Sequence, residues 1–499
     1  MVGVARRCAA ISSGSRSRHQ ALRDKGRERR FDALGAWCVL FVPVAYGCSF
    51  EETVMVQLPD VRYARSGDLS IAFQVVGDSR PDVVFVRGIA GDLVSTWDQP
   101  LLVRHVEGLA ACGRLIMVDR RGTGLSDRVR EVHSAETAMD DVRAVMDSVD
   151  SQNAVLWAGG TATGVGVLFA ATYPERCAGL VLFDPRVKGT RSIDYPWALD
   201  ADEWRDQLAA VRSGWGDRSF LEKLAYEWAP EVADDEAFRE WFVWHMRRSL
   251  SPGAALTAYR AAMESDVSDI LTAVRVPTLV LPRPSQPGPA HYVAERIKGA
   301  EVVDLPELRG IYTWVDEAAH RATMEATHRF VSRLGKRGGS GRVLSTLLFT
   351  DIVGSTELAS RLGDASWRDL LQRHHAAVRR ELARFEGREL DTAGDGFFAS
   401  FDGPARAVRA ATAIGQSLRA LEIEVRAGVH TGECELSDGK VVGVAVSIAS
   451  RIASLAGPGE VLTSSTVKDL VAGSGLQFED RGEHELKGIN EPWRIFAVH

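Results

Sequence analysis

Two short motifs in the last third of the chain place carboxylates where phosphate chemistry could occur. Asp351 follows an apolar run that predicts a buried strand, and Gly354-Ser355-Thr356 then turns the chain into a helix. Asp395 lies in a Gly-Asp-Gly turn between two further apolar runs, which predicts a hairpin tip. Carboxylate oxygens suit Mg²⁺ or Mn²⁺, and backbone N–H groups at a helix start suit phosphates. Either motif alone is more often a plain turn, but together they predict a site for metal ions and a phosphorylated ligand.

A third motif adds a cation to this set. Residues 443–452 predict the start of an apolar helix, on which Ser447 and Arg451 share one face. With this motif in place, the segment from about Arg342 to His499 resembles the catalytic domain of the class III adenylate and guanylate cyclases, in the subgroup common in actinobacteria. The motifs that carry this resemblance are Phe349–Thr356, Thr392–Phe397, Gly428–Glu433 and Leu486–Ile489.

The resemblance implies a ferredoxin-like α+β fold and a defined reaction. A nucleoside triphosphate, ATP or GTP, would be converted into a 3′,5′-cyclic nucleotide and pyrophosphate, and we favour cyclic AMP as the product. Two metal ions per site, Mg²⁺ or Mn²⁺, would be held by Asp351, Asp395 and the backbone of Ile352. Arg451 would balance the charge at the transferring phosphorus, and Ser447 would orient the ribose. In this family the carboxylates and the arginine come from opposite subunits, which implies a head-to-tail homodimer.

Three departures from the family pattern leave a second interpretation open. Asp391 stands where the family usually has a lysine that contacts the purine, and Lys440 stands where it has the partner aspartate. Ser447 replaces an asparagine. The alternative is therefore a catalytically degenerate nucleotide- or ligand-binding regulator in which the cyclase domain only dimerises. The further residues implied to bind the substrate are Gly354, Ser355, Thr356, Asp391, Lys440 and Lys487.

The middle of the chain, residues 55–334, alternates short apolar strands with helical stretches, which predicts a mostly parallel α/β sheet. The motifs Asp119–Asp127 and Phe169–Arg176 make this segment resemble the α/β-hydrolase fold. The catalytic triad of that family falls here on Gly160, Gln286 and Ile311, none of which can attack, accept a proton or orient a base. We therefore predict a pseudohydrolase, in which Thr161 could act as a nucleophile only if the turn shifted by one residue.

Residues 197–259 predict a helical insertion rich in aromatic side chains, at the place where hydrolase relatives carry a lid. Such residues could cover a pocket for a small apolar ligand, although ordinary helix packing uses them as readily.

The composition is that of a globular protein of 499 residues, 45% hydrophobic and 25% charged. A formal net charge of -7 argues against nucleic acid as a partner, and six scattered cysteines suit a reducing cytosol. Residues 1–54 combine a basic run with an apolar run, which we interpret as a mis-assigned start before Met55 or a disordered extension. Residues 335–342 predict a flexible linker, and residues 343–499 the cyclase domain. We expect the protein in the cytoplasm, where its nucleotide substrate is found.

Overall fold

A computed structural model describes residues 58–129, 134–334, 342–437, 440–489 and 491–499, and side chains at 342, 436, 437 and 440 are not among the described parts. The predicted extension at residues 1–54 therefore lies outside the described residues, as does most of the predicted linker, residues 335–341. Arg342, the last residue of that linker, begins a strand.

The first part of the described chain is built on an eight-stranded mixed sheet with the order β1-β2-β4-β3-β5-β6-β7-β8. The strands from β3 onward pair in parallel, and β1 and β2 form an antiparallel edge. The strands are β1 (Arg62–Ser66), β2 (Leu69–Val76), β3 (Asp82–Val86), β4 (Arg114–Val118), β5 (Ala154–Gly159), β6 (Cys177–Phe183), β7 (Thr278–Leu281) and β8 (Glu301–Val302). The prediction of short apolar strands in a mostly parallel sheet is thus confirmed for this segment.

Helices cover both faces of this sheet, because its central parallel strands are apolar on both sides. The predicted insertion forms four helices, α4 to α7, whose aromatic side chains share a separate apolar cluster. The helices are α1 (Pro100–Ala110), α2 (Ala135–Ser148), α3 (Thr163–Thr172), α4 (Ala201–Gly214), α5 (Arg218–Trp228), α6 (Glu236–Ser249), α7 (Pro252–Glu264), α8 (Gly288–Arg296) and α9 (Glu317–Arg333).

The second part of the described chain forms another mixed sheet, with the order β10-β11-β9-β12-β14-β16-β15 and with β13 paired to β12. Its strands are β9 (Arg342–Ile352), β10 (Arg388–Ala393), β11 (Gly396–Phe401), β12 (Val425–Ser437), β13 (Lys440–Val442), β14 (Val461–Ser464), β15 (Phe478–His484) and β16 (Trp493–Val498). Its helices are α10 (Ser355–Arg384), α11 (Pro404–Arg419), α12 (Val444–Leu455) and α13 (Ser465–Leu470).

One kinked helix, α10, connects the first two strands of this sheet. Gly363 interrupts α10 with φ 73°, so two helical segments lie between β9 and β10. The strand before the Gly-Asp-Gly turn runs to Ala393, with a bulge between Glu389 and Asp391. The bulge locally breaks the alternation of side chains along β10.

The two parts of the described chain contact each other through apolar and charged side chains. Leu344 and Leu470 of the second part belong to the apolar core of the first. Glu136 of α2 accepts a hydrogen bond from the Ala405 N–H, 2.7 Å long, at the start of α11, and it lies 3.3 Å from Nε of Arg406. The anionic side chain thereby occupies the positive end of a helix in the other domain.

No helix in the described segments is both long and apolar enough to cross a membrane.

Candidate active site

The pairing of β9 with β11 brings Asp351 and Asp395 to the same edge of the second sheet. Thr350 lies opposite Phe397, so the end of β9 meets the turn between β10 and β11. Oδ2 of Asp395 accepts a hydrogen bond from the Ile352 N–H at 3.2 Å. Oδ1 of Asp351 lies 3.8 Å from the place where a side chain on Gly396 would begin. The carboxylates thus lie at neighbouring strand ends, and the Ile352 backbone adjoins them.

Arg426 also belongs to this cluster, which the sequence analysis did not foresee. It lies directly opposite Asp351 on β12, and its Nη2 donates to Oδ2 of Asp351 at 2.6 Å. The two side chains are 35% and 38% exposed, so solvent screens the pair. The register of β9 against β12 could have revealed this contact, but the sequence alone does not give that register.

The start of α10 lies next to the carboxylates and offers backbone donors. Gly354 adopts φ 67°, a left-handed conformation that few other residues accept, and this turns the chain from β9 into the helix. The Leu358 N–H makes a helical bond to the Gly354 carbonyl, at 3.0 Å. The N–H groups of Ser355 and Thr356 come earlier and have no acceptor within the helix, which leaves them available to an anion.

Two histidines of α10 support the hairpin turn that carries Asp395. A ring nitrogen of His375, Nε2, hydrogen-bonds the Gly394 carbonyl at 2.9 Å. His374 is fully buried against the ring of Phe397, and burial lowers its pKa to about 4. His374 is therefore neutral near pH 7 and serves as packing beneath the site.

The remaining predicted site residues are spread along the same domain. Ser447 and Arg451 are exposed on α12, and no hydrogen bond or ion pair within the described chain joins either one to Asp351 or Asp395. Lys487 is exposed in the turn between β15 and β16. Asp391 is exposed on β10, where its own carboxylate accepts the N–H of Thr392 at 2.9 Å. Lys440 begins β13 opposite Ser437, and its side chain lies outside the described part.

The donor set of this edge fits a hard divalent cation. Asp351 and Asp395 supply carboxylate oxygens, and phosphate oxygens of a substrate could complete the coordination of Mg²⁺ or Mn²⁺. Within the described chain, no three side chains of His, Cys, Asp or Glu gather into a metal site of their own. A metal here would therefore depend on further ligands, such as phosphate oxygens, for part of its coordination, as Mg²⁺ commonly does.

In the first domain, Gly160 stands at the sharp turn between β5 and α3. Its φ of 55° is the strained conformation that this turn requires, and no atom lies within 4 Å of the position a side chain would take. The neighbouring hydroxyl oxygen of Thr161 is buried and has no hydrogen-bond partner in the described chain. Gly160 is therefore the residue with positive φ at this turn, and Thr161 follows it in the short 3-10 helix Gly160–Ala162.

The other two predicted triad positions also lack chemistry suited to hydrolysis. Ile311 donates its N–H to the Trp228 carbonyl at 2.8 Å and lines the cavity above Gly160. Gln286 lies in the loop after β7, where its amide contacts Arg283 and the Trp197 carbonyl. Neither residue can form a relay to the turn at Gly160.

A serine and a histidine do meet elsewhere in this domain. Oγ of Ser95 lies 2.8 Å from Nδ1 of His245, which stacks on Trp241. Ser95 is completely buried and is not part of the cavity wall, although His245 is. Burial lowers the pKa of His245 to about 3. The Ser95 hydroxyl is therefore closed off from the cavity, and the pair acts as a buried hydrogen bond between Ser95 and α6.

A cavity of about 560 Å³ lies between Gly160 and the inserted helices. Its wall includes Trp228, Trp241 and Trp314 from the aromatic cluster. One part of the wall comes from the second domain, from Asp469 and Leu470 of α13. The inserted helices therefore cover a real cavity in addition to packing against one another.

Comparisons with known proteins agree with both folds. Residues 343–499 match the family model of the adenylate and guanylate cyclase catalytic domain, and residues 81–235 match that of the α/β-hydrolase fold. An uncharacterized protein of Mycobacterium tuberculosis is 30% identical over 162 residues, which are 32% of this chain and 42% of that protein. The AB hydrolase superfamily protein YisY of Bacillus subtilis is 28% identical over 200 residues, 38% of this chain and 71% of YisY.

Among solved structures, the adenylyl cyclase CyaB from Pseudomonas aeruginosa is similar at 25% identity, with a TM-score of 0.30, over 32% of this chain and 94% of that one. The chain spans less than half the length of several curated relatives that it matches. The matched segments agree with the two sheets described above and with the resemblances drawn from the motifs. The chain therefore carries an α/β-hydrolase-fold region followed by an adenylate and guanylate cyclase catalytic domain.

Proposed function

We propose that this protein is a nucleotidyl cyclase, which forms a 3′,5′-cyclic nucleotide and pyrophosphate from a nucleoside triphosphate, with ATP as the favoured substrate. The observation that carries the proposal is the meeting of Asp351 and Asp395 at one sheet edge, beside the start of α10. Carboxylates and free helical N–H groups together suit a metal-bound triphosphate.

In this proposal Asp351, Asp395 and the Ile352 backbone hold two Mg²⁺ or Mn²⁺ ions. Such ions, when bound, activate the ribose 3′-hydroxyl and stabilise negative charge on the α-phosphate. The protein's own contribution is to place and neutralise the triphosphate. The N–H groups of Ser355 and Thr356 donate to phosphate oxygens, for which the turn at Gly354 is needed.

Other side chains complete the substrate site in this proposal. Lys487 binds the terminal phosphates, and Asp391 and Lys440 face the base. Ser447 orients the ribose, and Arg451 balances charge at the phosphorus. The hydroxyl of Ser447 is shorter than an asparagine side chain, so we expect a rate lower by roughly ten- to a hundredfold than an asparagine would give.

A head-to-tail homodimer brings these groups together. Arg451 is exposed and makes no contact with Asp351 or Asp395 of its own chain, in the portion that the structure describes. Val442 and Val444, next to the start of α12, are also exposed, at 44% and 64%. Exposed apolar side chains at the end of β13 and at the first residue of α12 suit burial against a second subunit.

The first domain is proposed to be non-catalytic, and the protein to act in the cytoplasm without a nucleic-acid partner. Gly160, Gln286 and Ile311 supply no nucleophile, acid or base, which supports the absence of hydrolysis. We expect no turnover of nitrophenyl esters. Turnover that disappears in Thr161→Ala would contradict this role.

The test of cyclisation uses the full chain with Mn²⁺ and either ATP or GTP, and measures the cyclic nucleotide. We expect Asp351→Asn and Asp395→Asn each to lower the rate by on the order of a hundredfold or more, because a metal ligand supplies several kcal/mol of stabilisation. Asp364→Asn, an exposed aspartate on α10, is the matched control. Activity that is absent, or unchanged by Asp351→Asn, would favour the degenerate regulator.

A mixing experiment tests the shared site. Asp351→Asn and Arg451→Ala chains are each inactive alone in this proposal. After equal mixing, half of the dimers contain one chain of each kind, and each of those has one intact site, which gives about a quarter of wild-type activity. No recovery on mixing, with dimers present by light scattering, would argue that the carboxylates and Arg451 act within one chain.

A further inference from the structure

The cavity of the first domain has an apolar body and a polar end. The apolar wall comes from the inserted helices and from the segment before α9, and it includes Trp228, Trp241, Phe242, Tyr312 and Trp314. The polar end lies at the turn between β5 and α3, where the cavity is lined by Gly88, Gly160, Thr161 and Arg120. A cavity of about 560 Å³ is within the usual size range for a small-molecule site.

Arg120 is the central feature of the polar end. Its side chain is enclosed by the protein while its surface contributes to the cavity wall. Nη1 donates one long hydrogen bond, 3.4 Å, to the Gly88 carbonyl, and no carboxylate of the described chain forms an ion pair with this guanidinium. Burial lowers the pKa of Arg120, because the charged guanidinium is less well solvated inside the protein than in water.

The other cations of the cavity wall have nearby carboxylates. Arg121 pairs with Asp141 at 2.5 Å, so the carboxylate whose charge acts on Arg120 is already engaged. The further balanced cations are Arg87, by the charges of Asp119 and Asp92; Arg186 and Arg283, by Asp184 at 3.4 and 3.7 Å; and Lys188, by Asp194 at 3.2 Å. Arg120 is therefore a cation of the cavity wall whose neighbouring carboxylate, Asp141, is held by a different arginine.

The remaining carboxylates of the cavity wall have other cations as their nearest ion-pair partners. Glu227 lies 3.9 Å from Lys223, and Asp469 lies 3.1 Å from Lys468. The hydroxyl of Thr161 adds a second unsatisfied polar group at the same end, since it is buried without a hydrogen-bond partner in the described chain. The position where a side chain on Gly88 would begin is 3.6 Å from this hydroxyl oxygen, and Gly88 also accepts the bond from Arg120.

We propose that this cavity binds an apolar carboxylic acid, with the carboxylate on Arg120 and Thr161 and the hydrocarbon among the aromatic side chains. A guanidinium pairs with a carboxylate through two parallel hydrogen bonds, which an alcohol or an amine cannot reproduce. The proposal rests on the non-catalytic role of this domain, because without a nucleophile at the turn the bound acid is a ligand and not the product of an ester hydrolysis.

The test measures binding to the full chain by quenching of tryptophan fluorescence, which suits a cavity walled by tryptophans. The probes are decanoate, 1-decanol and decylamine, which share a ten-carbon chain and differ in the charge of the head group. We expect saturable binding of decanoate that is about ten- to a hundredfold tighter than that of 1-decanol, because a charged hydrogen bond is lost with the alcohol. Decylamine should bind more weakly still.

The variant Arg120→Met removes the charge and keeps the length of the side chain. It should weaken decanoate binding about ten- to a hundredfold and leave 1-decanol binding within about twofold. Arg212→Met, an exposed arginine of α4, is the control and should change neither. If Arg120→Met does not fold, the comparison of the three probes on the wild-type chain decides the matter.

Equal affinity for decanoate and 1-decanol, or decanoate binding unchanged in Arg120→Met, would overturn the proposal. Binding is measured without nucleotide and without an ester, so a failure here is separate from a failure of cyclisation or of the non-catalytic role. Hydrolysis of nitrophenyl decanoate, followed in a separate assay, would contradict the non-catalytic role alone.

Discussion

The contact between Glu136 and α11 allows a quantitative test of how the two domains are joined. Glu136 is 3% exposed, its Oε2 accepts the Ala405 N–H at 2.7 Å, and its Oε1 lies 3.3 Å from Arg406. Glu136→Ala removes the acceptor and leaves a buried N–H without a partner, at a cost of about 1–3 kcal/mol. Arg406 keeps Asp140 and Glu386 at 3.2 and 3.0 Å, so the lost charge adds little.

Glu136→Gln separates the hydrogen bond from the charge. The amide oxygen of glutamine can still accept the Ala405 N–H, while the buried charge is removed. Burial raises the pKa of Glu136, which means that the ionised form is disfavoured in the folded chain, and its removal offsets the weaker contact with Arg406. We therefore expect Glu136→Gln to remain within about 1 kcal/mol of wild type.

Unfolding in urea, followed by tryptophan fluorescence and far-UV circular dichroism, measures both variants. With a slope of about 3 kcal/mol per molar urea, Glu136→Ala should lower the midpoint by about 0.3–1 M. Glu386→Gln changes a carboxylate on the same arginine that is 66% exposed, and it should cost less than about 0.5 kcal/mol. If Glu136→Gln lowers the urea midpoint as much as Glu136→Ala does, the charge and not the hydrogen bond stabilises the contact with α11. If neither variant differs from wild type, the contact does not contribute to stability.

Three further outcomes are expected. Burial raises the pKa of Glu136 in the folded chain above its unfolded value of 4.5. The stability of wild type relative to Glu136→Gln should therefore be greatest below pH 4.5 and should fall as the pH rises through the folded pKa. Urea midpoints measured across this pH range test the expectation. Gly160→Ala should lower the free energy of unfolding by about 1–2 kcal/mol in the same assay, because a side chain is strained at φ 55° although no atom would clash with it. Gly160→Ser should show no esterase activity. Arg426→Gln removes a cation from Asp351 and should lower the Mn²⁺ concentration for half-maximal cyclisation by roughly tenfold, whereas an unchanged requirement would mean that Arg426 does not compete with the metal.

The meeting of Asp351 and Asp395 was expected because both motifs combine an apolar run with a turn and because the motifs occur together in the family that the segment resembles. The hairpin of β10 and β11 is a local feature, whereas the pairing of β9 with β11 joins strands separated by α10 and was expected only from that resemblance. The turn at Gly160 could also be located from the sequence, since β5 and α3 flank it at short range. These features depend on residues that are near in sequence or fixed by a shared motif.

Contacts across long sequence separations could not be obtained in this way. Arg426 lies opposite Asp351 only because β9 and β12 pair in one particular register, and a slip of one residue would direct it to the other face. The contacts of Glu136 with Ala405 and Arg406 join residues 269 and 270 positions apart and depend on how the two parts of the chain pack. The linker composition predicts flexibility and contains no information on that packing.

The position of α13 decides how the two domains could influence each other. Asp469 and Leu470 form part of the cavity wall, and Leu470 is packed in the core of the first domain. The same helix packs on β12, the strand that presents Arg426 to Asp351. Suppose that α13 has two positions. A molecule in the cavity then shifts the balance between them only if its affinity differs between the two states, because equal affinity shifts no equilibrium. The shared wall therefore connects the cavity to β12 by direct packing, and any effect of a bound molecule on the carboxylates depends on that difference in affinity.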